Sequence, residues 1–257
     1  ISLIIMIGII ARLPFAFFAE FIEKWSANAG GGLLIFIVEL VLLFFVFVLG
    51  IALLQAVRKV PVQYAKRVIG NKQYGGVRQY IPMKLNAAGV MPIIFAQALM
   101  LFPLIFSRFD ATRGFAATMS NYTGFWYNFT FFILVVAFTY FYTAVTVNPT
   151  MMAEDMRKNG GFVPGVKPGK KTAEYLGNIM DRVTLPGSIF LALIAILPAF
   201  AMLCGVNNQF ASFYGGTSLL ILVGVVLDTL QQIDSHLLMR HYDGLMKTGR
   251  LQGRSGM

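Results

Sequence analysis

Apolar residues along this chain gather in long uninterrupted blocks, not in the alternating or one-sided patterns of a water-soluble fold. Six blocks stand out, at about 1–19, 33–57, 88–106, 125–147, 184–204 and 217–239. Crossing the hydrocarbon core of a bilayer takes about 20 apolar helical residues, so each block is a candidate span. Lipid offers no partner for backbone N–H and C=O groups, which leaves helices or a closed barrel. A barrel needs short alternating strands, and the blocks do not alternate. Breakers flank the blocks where helices must stop: Gly30-Gly31-Gly32, Asn148-Pro149 and Gly215-Gly216. Pro14, Pro92, Pro103 and Pro198 fall inside blocks and predict kinks or ends. The expected fold is all-α, a polytopic transmembrane bundle of six spans with no evident internal repeat. Two long connections, about 58–87 and 148–183, are expected as loops.

Composition agrees. Hydrophobic residues make up 57% of the chain and charged ones 12%, against about 25% charged in a soluble domain. One cysteine, Cys204, excludes an intrachain disulfide and a cysteine-based zinc site. No basic n-region precedes the first block, so no signal peptide is expected. Opening at Ile1 inside an apolar helix implies sequence upstream, either removed or on another chain.

Charge sets the expected orientation. The 58–84 stretch carries Arg58, Lys59, Lys66, Arg67, Lys72, Arg78 and Lys84 and no acidic residue. The 148–183 stretch carries Arg157, Lys158, Lys167, Lys170, Lys171 and Arg182, and the tail Arg240, Lys247, Arg250 and Arg254. That places seventeen of the 21 basic residues on one side. Lys24, Arg108 and Arg113 lie opposite, with Arg12 near the end of the first span. The positive-inside rule puts the two long loops, the tail and both chain ends in the cytoplasm. Aromatics near the opposite boundary (Phe15, Phe17, Phe18, Phe21, Trp25, and Phe125-Trp126-Tyr127) read as an interfacial belt.

The two basic connections are longer than a bundle needs to join neighbouring helices. Enforcing topology and touching anionic lipid headgroups would explain their sign. It would not explain Gly160-Gly161-Phe162-Val163-Pro164-Gly165-Val166-Lys167-Pro168-Gly169, which predicts a stiff, exposed tip suited to a partner's surface. The positive charge also suits RNA phosphates.

Four segments in order, PVQYAKR, IPMKLNAAGVMPIIFA, NGGFVPGVKPG and FYGGTSLLILV, resemble the SecY family, the channel subunits of the bacterial protein-export translocase. The resemblance runs from Ile1 to the tail and covers what looks like the second half of such a subunit, helices five to ten. It implies a pore constriction of apolar side chains at Ile1, Ile5, Ile94 and Ile221. Such a ring can dewet against ions and deform around a polypeptide. It implies one side of a lateral gate, with Asn86, Gln97 and Phe102. It implies a docking surface for the SecA motor and the ribosome at Arg58, Lys59, Lys66, Arg67, Lys72, Arg78, Phe162, Lys167, Lys170 and Lys171. Further implied partners are SecE and SecG, an unfolded preprotein with its signal sequence, anionic lipids and the missing N-terminal half. The implied location is the bacterial inner membrane, and no cofactor is implied. One departure stands out: the family usually has arginine at the loop tip, where this chain has Lys167, which keeps the charge but loses the planar fork.

By residue type alone, the isoleucines read as packing, and Asn86 and Gln97 equally as ordinary interhelical hydrogen bonding. Glu39 and Asp228 are ionisable groups inside spans and read as structural, each needing a partner. His236 and His241 are five apart, the wrong spacing for a metal pair on a helix. No HExxH, GxSxG, Walker or GxGxxG pattern occurs, so an enzyme is not expected. A secondary transporter, the alternative, would need a midplane polar site and usually an inverted repeat.

Overall fold

The computed structural model describes residues 2–27, 32–64, 67–69, 72–74, 78–105 and 113–248. Ten helices and five strands follow in chain order: α1 (Ser2–Ala27), α2 (Gly32–Gln55), β1 (Val57–Tyr64), β2 (Arg67–Ile69), β3 (Lys72–Tyr74), β4 (Arg78–Lys84), α3 (Met91–Leu99), α4 (Phe102–Ile105), α5 (Arg113–Ser120), α6 (Phe125–Thr146), α7 (Pro149–Lys158), β5 (Gly161–Phe162), α8 (Lys170–Leu203), α9 (Asn208–Ala211) and α10 (Gly216–Thr248).

Among the described residues five helices are long and apolar enough to cross a membrane: α1, α2, α6, α8 and α10. The third expected span, 88–106, differs. Its helix stops at Leu99, and a second piece begins at Phe102. Pro103 explains the break, because it has no N–H for the Leu99 carbonyl and its ring would collide with the preceding turn. At about 1.5 Å per residue, Met91–Ile105 covers some 22 Å, short of a hydrocarbon core of about 30 Å.

The helices pack α1 on α2 and α10, and α8 on α6, with α3 laid against α6. Their shared core holds Ile93, Phe131, Val135, Leu191, Ile194, Phe210, Leu219 and Leu220. The outer faces are also apolar: Phe44 is 71% exposed and Leu34 67%. That inversion is how a helix meets lipid on one side and protein on the other. Polar groups in the core are closed locally; the buried Thr139 hydroxyl donates to Val135 O at 2.7 Å and the Ser188 hydroxyl to Leu185 O at 2.8 Å. Close backbone approach requires glycine at Gly187, where a Cβ would stand 2.5 Å from the Leu85 carbonyl oxygen.

The expected loops are not loops. β1 pairs antiparallel with β4 from Val57–Lys84 to Gln63–Arg78, and β5 adds to β1 at Gln63 and Tyr64, giving the order β4-β1-β5. β2 and β3 form a separate hairpin. The stretch 148–183 is mostly helix. Val147 ends α6 and Asn148 caps α7, its side chain accepting from the N–H groups of Thr150 and Met151, with Pro149 at the first turn. The span expected at 184–204 belongs to a helix that starts fourteen residues earlier, at Lys170.

Candidate functional site

Alternation in the first basic segment builds the site. Along β1, Val60 and Val62 point inward, at 1% and 0% exposure, while Arg58, Lys59 and Pro61 face out. Along β4, Met83 points inward and Arg78, Gln79 and Tyr80 outward. From the second basic segment come Ala153 and Met156 on α7, Val163 after β5, and Leu176 and Met180 on α8. These residues form one apolar core, separate from that of the bundle. The two basic segments are therefore a single folded platform, not two independent arms. Two prolines made β1 and β4 look unlike strands. Pro61 is tolerated because β5 pairs only with Gln63 and Tyr64, leaving no third strand beside it among the described residues.

The platform's rim carries the charge. Arg58, Lys59, Arg78, Lys167, Lys170 and Lys171 are all exposed. Lys66 lies outside the described residues; Arg67 and Lys72 are placed by their backbones on β2 and β3. Phe162 is exposed, but Val163 is 2% exposed and part of the platform core. The expected apolar Phe-Val tip is thus corrected: one residue of the pair presents itself and the other anchors the turn. That turn is held by Val166 N–H donating to Val163 O at 3.1 Å and by the Thr172 hydroxyl donating to Lys167 O at 3.0 Å. Gly165 and Gly169 stand at φ of 85° and 107°, conformations that side chains resist. Lys167 is therefore carried on a fixed loop.

The isoleucines are borne by α10 and by two helices that each pack against it, α1 and α3. Ile5 and Ile94 are 46% and 43% exposed and Ile221 is partly buried; Ile1 lies outside the described residues. Ile5 lines a cavity of about 250 Å³ with Gly8, Arg12, Ser212 and Ser218. Asn86 is buried, in the turn before α3, its Nδ2 donating to Gly89 O at 3.1 Å. It shapes that turn and, among the described residues, forms no bond to another helix. Gln97 and Phe102 are exposed. Gln97 lines a cavity of about 420 Å³ with Asn128, Thr217 and Tyr127, between α3, α6, α8 and α10. Nothing in the sequence marked that cavity, since these polar groups come from three separate helices.

A model of the SecY family matches residues 1–230. The protein translocase subunit SecY of Chlamydia muridarum is 42% identical over 99% of this chain. The chain belongs to the SecY family. The SecY protein of Streptomyces scabiei is 41% identical over 96% of the chain, and that of Mycobacterium leprae 40% over 96%. The chain spans 56–57% of the length of these SecY relatives. A solved structure described as that of a protein conducting channel shares the fold, with a TM-score of 0.59 at 16% identity, covering 97% of this chain and 61% of that one. A second, from work on how the plug domain of SecY stabilises the closed channel and keeps a membrane seal, gives 0.55 at 14% identity, covering 98% and 62%.

Glu39 and Asp228 part ways. Asp228 is exposed on α10. Glu39 is 4% exposed and lies 3.0 Å from the Lys24 ammonium. Its companion Glu20, fully buried on α1, escaped the sequence reading because it falls just past the expected end of the first span. An i, i+4 spacing of Glu20 and Lys24 was the available signal. His236 is exposed on α10, and His241 sits on the same helix.

Proposed function

We propose that this chain forms one wall and the docking platform of a protein-conducting channel in the bacterial inner membrane. The complete subunit moves unfolded preproteins across the membrane and membrane proteins sideways into it. The observation that carries this reading is the platform: two basic segments folded around one core and seated on α8. That helix has 34 residues, about 50 Å long, and its second half lies in the bundle core. A partner pressing on the platform would push a rigid strut into the channel wall. The platform faces the cytoplasm and receives the SecA motor and the ribosome through Arg58, Lys59, Arg78, Phe162, Lys167, Lys170 and Lys171. SecE, SecG and the remaining part of the subunit complete the channel. Ile5, Ile94 and Ile221 line its constriction together with Ile1. Phe102 and Gln97 lie on the gate side, and Asn86 sets the turn that leads into it.

The test uses the full-length subunit in its native complex. Reversing Lys167, Lys170 and Lys171 to Glu is expected to reduce preprotein export at least tenfold while insertion and assembly stay normal. Unchanged export would remove the docking role. Separately, Ile94→Gly with Ile221→Gly is expected to raise ion leak through reconstituted channels, and an unaltered leak would take those residues out of the seal.

A further inference from the structure

The first span carries an arginine that neither the constriction nor the platform uses. Arg12 lies eight residues into the span Ile4–Ser26, where a cation turned toward lipid would be costly. Its place on the helix answers that cost. Ile5, Gly8, Ile9 and Arg12 follow one another at the spacing of a single helical face, and all four line the cavity of about 250 Å³. Arg12 also lines a neighbouring cavity of about 470 Å³, together with Asn208 and Gln209 of α9. Ser212 and Phe213 line both, so the two cavities adjoin at Arg12. Gly8 keeps the space open, since a Cβ there would meet nothing within 4 Å.

Charge in this space comes from Arg12 alone. Among the described residues it is the only charged group lining either cavity. Among the same residues no carboxylate lies within 4 Å of its guanidinium, which makes no hydrogen bond to them. The Ser212 hydroxyl is already committed, donating to Gln209 O at 2.7 Å. Direction follows from the helices. α8 runs from the platform core to Leu203, and Lys24, further along α1, donates to Gly205 O at 2.9 Å just past that end. α1 therefore leads away from the platform, and Arg12 stands two turns, about 10 Å, beyond Ile5 on the remote side.

We propose that Arg12 is a carboxylate-binding station on the exit side of the constriction, holding acidic side chains of a polypeptide as it is threaded through. This station rests on the channel reading above and adds a charge preference to it. A guanidinium among apolar walls attracts a carboxylate more strongly than one in open water, and binds it through paired hydrogen bonds. An extended chain advances about 3.3 Å per residue, so the carboxylate held is about three residues ahead of the residue at Ile5. An acidic residue caught there resists slipping back, and a basic one is repelled.

An arrested preprotein tests this, with the full-length subunit in its native complex and vesicles lacking a membrane potential. A folded domain at the trailing end stops the chain at a known residue. Protease protection then follows its slipping back once the motor is removed. Three versions differ only in a short window just past the constriction, made of aspartate, asparagine or lysine. The wild type should hold the aspartate version about threefold longer than the asparagine version, the scale of a partly hydrated ion pair. Arg12→Gln should equalise those two, Arg12→Lys should keep part of the difference, and Arg12→Glu should favour lysine. A preference that survives Arg12→Gln, or an equal change in all three versions, overturns the station. If the Arg12 variants fail to assemble, the wild type decides. Moving the aspartate window well away from the constriction should abolish the extra retention, and its persistence overturns the station. A wild-type complex that takes up the asparagine version but shows no charge preference removes only the role of Arg12. One that takes up no version removes the channel reading as well.

Discussion

The bundle and the platform are built from one chain but solve opposite solvent problems. In the bundle the outward residues are large and apolar, such as Phe44, Phe45 and Val145, and polar side chains such as Thr139 and Ser188 are turned inward and bonded. In the platform Arg58, Lys59 and Arg78 face out, and Val60, Val62 and Val163 face in, as in a small water-soluble domain. The helix α8 belongs to both. Leu176 and Met180 lie in the platform core, and Leu191, Ala192 and Ile194 lie fifteen or more residues beyond Leu176 in the bundle core. The contrast teaches that hydropathy locates the membrane but not the domains, because α8 passes from water into lipid without a break.

The same class of substitution should therefore have opposite consequences in the two regions. Val62→Asp places a carboxylate at a fully buried point of the platform core and is expected to cost more than about 4 kcal/mol. Limited proteolysis should then cut within 58–84 while the spans stay inserted. Equal protease resistance would mean that the platform is not a cooperative unit. On the bundle, Phe44→Lys puts a charge on the outward face of α2, where a lysine near the bilayer centre costs about 2.5–3.5 kcal/mol of insertion. Glycosylation mapping should show reduced insertion of that span. Its control is Tyr80→Lys, on the outward face of β4 and 58% exposed, which should change stability by less than about 0.5 kcal/mol. Similar outcomes for the last two would erase the distinction between lipid-facing and water-facing surfaces.

The joint between the regions gives an intermediate effect. At Gly187 the turn after β4 lies directly on α8, its Leu85 carbonyl oxygen 2.5 Å from where a Cβ would stand. Gly187→Val is expected to force the turn away at a cost of about 1–3 kcal/mol. A pair of spin labels, one on β4 and one on the bundle half of α8, should report a longer or broader distance. An unchanged distance distribution would show that the platform is held to the strut by its own core alone.

Most of the bundle was legible because one property, long apolar blocks, decides which segments enter lipid. The break at Leu99–Phe102 needed knowledge of which proline a neighbouring helix would accommodate, since Pro14, Pro186 and Pro198 lie inside continuous helices. The platform was illegible for a different reason. Its strands alternate correctly at Val60, Val62 and Met83, but their outward positions are charged and Pro61 and Pro82 interrupt them. Pairing β5 with β1 also joins residues about a hundred positions apart, which local pattern cannot foresee. Lys170, Lys171, Glu174, Asp181 and Arg182 likewise disguised the first half of α8, although helices outside lipid carry such charges readily. For the site, residue types marked the basic rim, while Glu20 went unnoticed because its meaning comes from Glu39 and Lys24 arriving beside it.

Ion pairs offer the finest test of the contrast. Lys158 and Asp155 on α7 approach to 3.9 Å at i, i+3, with side chains 73% and 68% exposed. Lys24 and Glu20 approach to 3.6 Å at i, i+4, with exposures of 15% and 0%. Spacing and distance are nearly alike, and only the surroundings differ. Water screens the first pair and hydrates each partner when the other is removed, so Asp155→Asn should shift stability by less than about 0.5 kcal/mol. Added salt should leave wild type and variant indistinguishable in thermal melts. If Asp155→Asn destabilised the protein as strongly as a substitution in the platform core, α7 would have to be shielded from water by a partner resting on it. The rim would then be covered, not open, in the state measured.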